Sequence, residues 1–174
     1  MLNCRSWNKP VAIFTQGLSG SGKSWWVKRL IKDAEGFEWI NTDTYIESHP
    51  AYNPKNPAEL YCWGKRQADN ALADTVAARK SYVLDGTMSD PSKAIRRMQD
   101  ARAAGYHVVL ITVDVPLELA LSQNAKRERN VPVEVIEEKA ATMPRAIAEA
   151  MRLADAGFYV QRTDAADPGT VEAF

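Results

Sequence analysis

The stretch Gly17-Leu18-Ser19-Gly20-Ser21-Gly22-Lys23-Ser24 fits the pattern G-x-x-x-x-G-K-[ST]. What surrounds it narrows the possible folds sharply. Val11-Ala12-Ile13-Phe14-Thr15-Gln16 is apolar and partly β-branched, which predicts a buried strand. After the motif, Trp26, Val27, Leu30, Ile31 and Ala34 fall on one helical face, which predicts a helix to about Ala34, stopped by Gly36. A strand, a glycine-rich turn and a helix in that order form a cradle for a polyphosphate. Backbone N–H groups and the helix dipole face the anion. Glycine allows the close approach and the left-handed dihedrals that a Cβ opposes. Lys23 is placed to reach the β- and γ-phosphates, and the Ser24 hydroxyl to ligate Mg²⁺. Gly17, Ser19, Gly20, Ser21, Gly22, Lys23 and Ser24 are therefore the candidate nucleotide contacts.

The rest of the chain alternates in kind. Phe37–Asn41 reads as strand two, and Thr42 to Glu47 as a short helix. His49–Pro57 is a loop by its proline and asparagine content, and Ala58 to about Arg79 is a long helix. In that helix Leu60, Trp63, Gln67, Ala71, Asp74 and Ala78 mark out a moderate stripe. Tyr82–Asp85 is strand three, and a helix capped by Asp90 with Pro91 in its first turn runs to Ala104 before Gly105. His107–Val113 is the clearest buried strand. Pro116 opens a helix to about Arg127, with Asp114 as its cap, and Asn130-Val131-Pro132 breaks it. Pro132 to Met143 is helical, Pro144 interrupts it, and Arg145 to Asp155 continues. Gly157–Gln161 is a last strand, and residues 163–174 form a weak, mobile tail. Alternation of this kind predicts a three-layer α/β fold. We expect a P-loop kinase fold: one domain over residues 1–174, a central parallel sheet of about five strands, helices on both faces, and a helical lid at about 124–134. Ligands in such sheets lie at the carboxyl ends of the strands.

With 45% apolar and 25% charged residues, the composition is that of an ordinary globular domain. Zero formal net charge gives no broad electrostatic footprint for duplex DNA, though a local groove for one strand or nucleotide is compatible with it. No membrane-spanning run or leader is evident. Cys4 and Cys62 are too few for a disulfide framework, so a reducing cytoplasm is expected.

Asp43, just after strand two, is the candidate general base, since a kinase must orient a hydroxyl and accept its proton. Thr44-x-x-Glu47 is a capping box that would leave Asp43 for chemistry. Lys126-Arg127-Glu128-Arg129 ends one helix before a break, so Arg127 and Arg129 are candidates to cover the transferring phosphate. Asp85 is open to three roles: holding Mg²⁺ through water, positioning an arginine, or capping the Gly86-Thr87 turn. Tyr45, Tyr52, Tyr61 and Trp63, with Lys55, Lys65 and Arg66 among them, form either a stacking surface or helix packing. Trp25 lies off the apolar face of its helix. Lys93, Arg96, Arg97 and Arg102 give one helix a basic side, solvated by default and suited to a phosphate-bearing acceptor. No glutamate follows Asp85 or Asp114 to polarise water for hydrolysis, and no N-K-x-D stretch is present.

Three segments together resemble the group of P-loop kinases that includes polynucleotide 5′-kinases and zeta toxins. Besides Gly17–Ser24, Asn41-Thr42-Asp43-Thr44-Tyr45 followed by His49-Pro50-x-Tyr52 is similar to the zeta-toxin pattern. Asp114-Val115-Pro116 through Asn124-Ala125-Lys126-Arg127 to Val131-Pro132-x-Glu134-Val135-Ile136 is similar to the polynucleotide-kinase lid. The resemblance implies ATP and Mg²⁺ as cofactors, a base at Asp43, loop contacts at Lys23 and Ser24, and a lid arginine at Arg127. It implies a hydroxyl acceptor on DNA, another nucleic acid or a nucleotide, in the cytoplasm of a bacterium or a phage-infected host. Phage 5-hydroxymethyluracil DNA kinases are similar in kind. The zeta-like alternative is a kinase of a nucleotide sugar with an antitoxin partner, and a third reading is a non-kinase nucleotide-binding module. Ile46 and Met88 stand where polynucleotide kinases and zeta toxins, respectively, carry acceptor-side arginines, so the acceptor is expected to differ from either.

Overall fold

The computed structural model of the chain describes residues 7–31, 36–54, 56–127 and 130–174. Its strands are β1 (Val11–Gln16), β2 (Glu38–Ile40), β3 (Tyr82–Leu84), β4 (His107–Asp114), β5 (Ala156–Gln161) and β6 (Thr170–Ala173). Its α-helices are α1 (Lys23–Leu30), α2 (Thr42–Ser48), α3 (Tyr61–Ala77), α4 (Pro91–Ala103), α5 (Leu117–Ala125) and α6 (Val133–Met151), with a 3₁₀ turn at Pro57–Leu60 leading into α3. The sheet order is β2-β3-β1-β4-β5-β6. The first five strands are parallel and β6 is antiparallel to β5.

β1 lies between β3 and β4 and is buried on both faces, as its unbroken apolar run predicts. Successive side chains alternate between two cores. Val11 and Ile13 join Val83, Val109 and Ile111 under Trp26, Val27 and Leu30 of α1 and Ile136, Met143 and Ile147 of α6. Ala12 and Phe14 join Leu84, Val108 and Leu110 under Ala68 of α3 and Ala94, Met98 and Ala101 of α4. Helices therefore cover both faces, and the loops at the strands' carboxyl ends meet on one side.

Several boundaries differ from expectation. α1 ends at Leu30, not Ala34, because Ile31 turns to extended backbone (φ −108°, ψ 110°) with its side chain buried. α6 runs through Pro144 without a break. An internal proline costs about 3 kcal/mol, and the helix offsets this by burying Ile136, Met143, Ala146, Ile147 and Ala150 along one stripe. The buried face of α3 is Gly64, Ala68 and Thr75 rather than the stripe read from Leu60 to Ala78. Small side chains there let α2 approach closely: a Cβ on Gly64 would lie 2.4 Å from Ile46 Cγ1.

The tail also departs from expectation. Residues 163–174 fold back as a hairpin, and β6 becomes a sixth strand. Arg162 ties the turn by donating from Nε to the Asp167 carbonyl and from Nη2 to the Ala165 carbonyl. Asp167 accepts from the N–H groups of Thr163 and Gly169, and Gly169 takes φ +85°. Phe174 and Gly157 exchange backbone bonds of 3.1 and 2.9 Å. Asp167-Pro168-Gly169 is the turn signal that announces this hairpin in the sequence.

Candidate active site

A cleft of about 810 Å³ opens at the carboxyl ends of β1, β2 and β3. Its floor is the loop between β1 and α1. Gly22 takes φ +89° and a Cβ there would meet nothing, so the dihedral alone calls for glycine. Gly17 differs: a Cβ there would lie 2.3 Å from the Val113 carbonyl oxygen. Ser19, Gly20, Gly22, Lys23 and Ser24 line the cleft. Gly17 and Ser21 are turned inward. The Gly17 N–H donates to the Thr87 carbonyl and the Ser21 N–H to the Leu18 carbonyl, and Ser21 is fully buried.

Lys23 Nζ folds back to donate to the Leu18 carbonyl at 2.9 Å. Burial pushes its ammonium from the usual 10.5 down to about 8; the Asp85 and Asp43 charges oppose this, and Arg127 and Lys139 add to it.

Asp85 is the hub of the site. It is buried, and its Oδ1 accepts from Thr15 Oγ1 at 2.8 Å. Its Oδ2 accepts from Ser24 Oγ at 2.7 Å and from Asn41 Nδ2 at 3.2 Å. Thr15 Oγ1 in turn accepts from the Gly86 N–H. Ser24 and Asp85 are paired hard oxygen donors that could hold Mg²⁺, Asp85 through water, while Thr15 links the same carboxylate to the Gly86 turn. Among the described residues no group of three or more His, Cys, Asp or Glu is gathered to hold a metal. Mg²⁺ that keeps several waters and sits on substrate phosphates requires no such group.

Asp43 lies in the first turn of α2 and lines the same cleft as Lys23. The helix cap is Asn41, whose Oδ1 accepts from the Asp43 N–H at 2.8 Å; Thr44 lies inside the helix and does not cap it. Asn41 therefore does two jobs, capping α2 with its oxygen and bracing Asp85 with its nitrogen.

Arg127 also lines the cleft, just past α5, while Arg129 lies outside the described residues. The break after α5 is clamped by Asn124. This buried side chain donates to the Val131 carbonyl at 2.9 Å and accepts from the Val131 N–H at 3.1 Å. Asp114 does not cap α5; its carboxylate accepts from the Tyr159 hydroxyl, and burial, followed by this bond, pushes the Tyr159 phenol up.

Lys139 of α6 is a cleft residue that sequence reasoning missed. Burial pushes its ammonium below the usual lysine range, and the Asp43 charge pulls it back up. Its signal is positional: it stands three residues after buried Ile136 and four before buried Met143, a cation inside an apolar stripe.

The other candidates divide. Trp25 is exposed, lines the cleft, stands edge-on to Trp26, and carries the Arg29 guanidinium 5.3 Å from its ring centre. Tyr61 and Lys65 line the cleft. Trp63 stands edge-on to His49, and Tyr45 packs against the core, so both are helix packing. Lys55 lies outside the described residues. Of the basic side of α4, Lys93 and Arg97 face the cleft, while Arg102 pairs with Asp155.

A phosphate loop after the central strand of a sheet ordered β2-β3-β1-β4-β5, with a bracing aspartate on β3's end, defines a P-loop protein of the kinase-like kind. The chain belongs to the AAA_33 family, described as an AAA domain, whose model matches residues 13–150. Among solved structures it is similar to one from the PezAT chromosomal toxin-antitoxin system of Streptococcus pneumoniae, at TM-score 0.71 and 18% identity, covering 88% of this chain and 69% of that one. It is similar to the AvrRxo1-ORF1:-ORF2 complex with ATP at TM-score 0.71 and 18% identity, covering 95% of this chain and 57% of that one. A chain of the Pnkp1/Rnl/Hen1 RNA repair complex matches at TM-score 0.58 and 17% identity, over 81% of this chain and 46% of that one. The chain thus spans about half the length of the last two, and at these identities the likeness is one of fold. No described helix is long and apolar enough to cross a membrane.

Proposed function

We propose that the protein is an ATP- and Mg²⁺-dependent phosphotransferase that moves the γ-phosphate to a hydroxyl of a nucleic acid or nucleotide. The observation that carries this reading is that Lys23 and Asp43 open into one cleft, with the Ser24–Asp85 pair beside them. The loop backbone and Lys23 hold the polyphosphate. Ser24 and, through water, Asp85 would hold Mg²⁺, which would supply charge neutralisation to the polyphosphate. Asp43, a carboxylate in the same cleft as Lys23, accepts the proton of the attacking hydroxyl. Arg127 and Lys139 neutralise charge on the equatorial oxygens as the phosphoryl group moves. Arg129 belongs to the same reading through its neighbour. The AvrRxo1 complex with ATP supports the donor, and the RNA repair complex supports a nucleic-acid acceptor. Hydroxymethyluracil in phage DNA is the modified-base form of that acceptor.

The test is transfer of labelled γ-phosphate to a panel of 5′-hydroxyl DNA and RNA, hydroxymethyluracil DNA, nucleosides and nucleotide sugars. One member should take label, and Asp43→Asn should lower that transfer by roughly 10²–10⁴-fold while ATP binding survives. A nucleotide sugar as the sole acceptor would move the assignment to the zeta-like alternative. ATP turnover indifferent to every acceptor would remove the kinase reading.

A further inference from the structure

β6 is the last strand of the sheet, and among the described residues its outer edge is unpaired. Phe174 and Gly157 exchange both of their backbone bonds. In an antiparallel ladder such exchanges alternate with positions whose groups point the other way. Thr170 and Glu172 therefore face β5, while Val171 and Ala173 turn their N–H and C=O groups off the edge. Thr170-Val171-Glu172-Ala173 carries neither lysine nor proline to guard that edge. A groove of about 510 Å³ runs between the same strand and α1. Val171 and Ala173 line it from the edge, with Phe158 opposite Ala173 in register, and Trp25, Arg29 and Leu30 line it from α1. Trp25 is 58% exposed and Val171 39%, so apolar surface lies open where the backbone is open too.

We propose that this edge docks an extended segment of a partner protein, which adds to the sheet as an antiparallel strand beside β6. The segment pairs its backbone with Val171 and Ala173, as strand addition to an open edge requires. Side chains alternate along a strand, so every second residue of the segment enters the groove. Those residues are apolar, to meet Leu30, Phe158 and the Trp25 ring, with one acid among them for Arg29, the one charged residue of the groove's described lining. Arg29 is exposed, with its guanidinium 5.3 Å from the Trp25 ring centre, so charge and apolar surface lie side by side. On its other face the segment sets a basic residue across from Glu172, which is exposed. A second copy of this chain fits poorly. A two-fold pairing that uses both Val171 and Ala173 on each side sets Glu172 opposite Glu172, and like charges across a ladder repel. Nothing in this docking requires the phosphotransfer reading of the cleft.

The experiment is NMR titration of the full, isotope-labelled chain with the peptide acetyl-Thr-Leu-Lys-Val-Thr-Asp-Thr-amide. Its Leu, Val and Asp share one face, and its Lys lies on the other, between Leu and Val. At millimolar peptide the amide signals of Val171 and Ala173 and the indole signal of Trp25 should shift. The same peptide N-methylated at Leu and Val no longer donates to the edge and should bind at least about tenfold more weakly. Val171→Asp should abolish the shifts, with its fold checked by an unchanged spectrum of β1 and β4. Replacing the peptide's Lys by Glu should weaken binding to the native chain by up to about fivefold, and Glu172→Lys should reverse that order. No shift at Val171 or Ala173 overturns the proposal, as does binding that survives Val171→Asp or a Lys preference that Glu172→Lys leaves intact. Equal binding of the methylated peptide overturns it too, reducing the groove to an apolar patch. Sedimentation of the native chain supplies the remaining outcome: a dimer that Val171→Asp dissolves would give the edge to a second copy and overturn the partner strand.

Discussion

Lys23 shows how far a motif reaches and where it stops. Its identity follows from the loop pattern, but its state of charge depends on burial and on four residues from distant parts of the chain, Asp85, Arg127, Lys139 and Asp43. With its ammonium at about 8, the cation is partly lost in the empty site above that pH. A polyphosphate restores the favourable field, so nucleotide binding between about pH 8 and 10 should take up a proton. The sign follows from the direction of the shift: the free site binds fewer protons than the filled one in that window, and affinity falls as pH rises through it. Calorimetry in buffers of different ionisation heat would measure this, and zero uptake at pH 9 would contradict it. Asp85 is legible as a candidate from its place after a strand. Thr15 and Asn41, which brace it, are not, because a threonine in a β-branched run and an asparagine before a helix read as propensity and capping. Lys139 was hidden for a related reason, since Glu137-Glu138-Lys139 reads as a solvated helix face until its partners from other elements are known.

Helix α2 carries the candidate base, and its position depends on a contact 18 residues away in sequence, between Ile46 and Gly64. Gly64→Ala should therefore push α2 off α3, costing about 1–3 kcal/mol of stability and lowering transfer further than nucleotide binding. Urea denaturation beside single-turnover kinetics would separate the two effects, and a variant with native stability and rate would deny the contact its role. The alternation of strands and helices was readable because each strand is an apolar run bounded by turn residues. The buried face of α3 was not, because small residues leave no hydrophobic stripe. The continuity of α6 was not either, since local chemistry at Pro144 argues for a break that tertiary burial overrides.

Across the whole molecule, β6 closes a sheet whose other strands are parallel. Truncation after Arg162 should leave β5 as an unpaired edge bearing Phe158 and Val160. It should lower Tm by at least about 4 °C and raise light scattering on heating; an unchanged melt would show the hairpin to be dispensable. Parallel order was inferable from the alternation, and the antiparallel return was not, because residues 163–174 carry little apolar signal beyond the Asp167-Pro168-Gly169 turn. One detail of the cleft bears on how such a molecule could be retargeted. The Gly17 N–H is held by Thr87, and Gln16 Nε2 donates to the carbonyl of Met88, which stands in left-handed backbone at φ +48°. The span from Gly86 to Ser89 is thus stitched to the phosphate cradle, and altering it would disturb the donor along with the acceptor. Among the described residues no hydrogen bond stitches the outward sides of α3 and α4 to the cradle, so an engineer or a lineage seeking a new alcohol has room to work there without touching the machinery that grips the triphosphate.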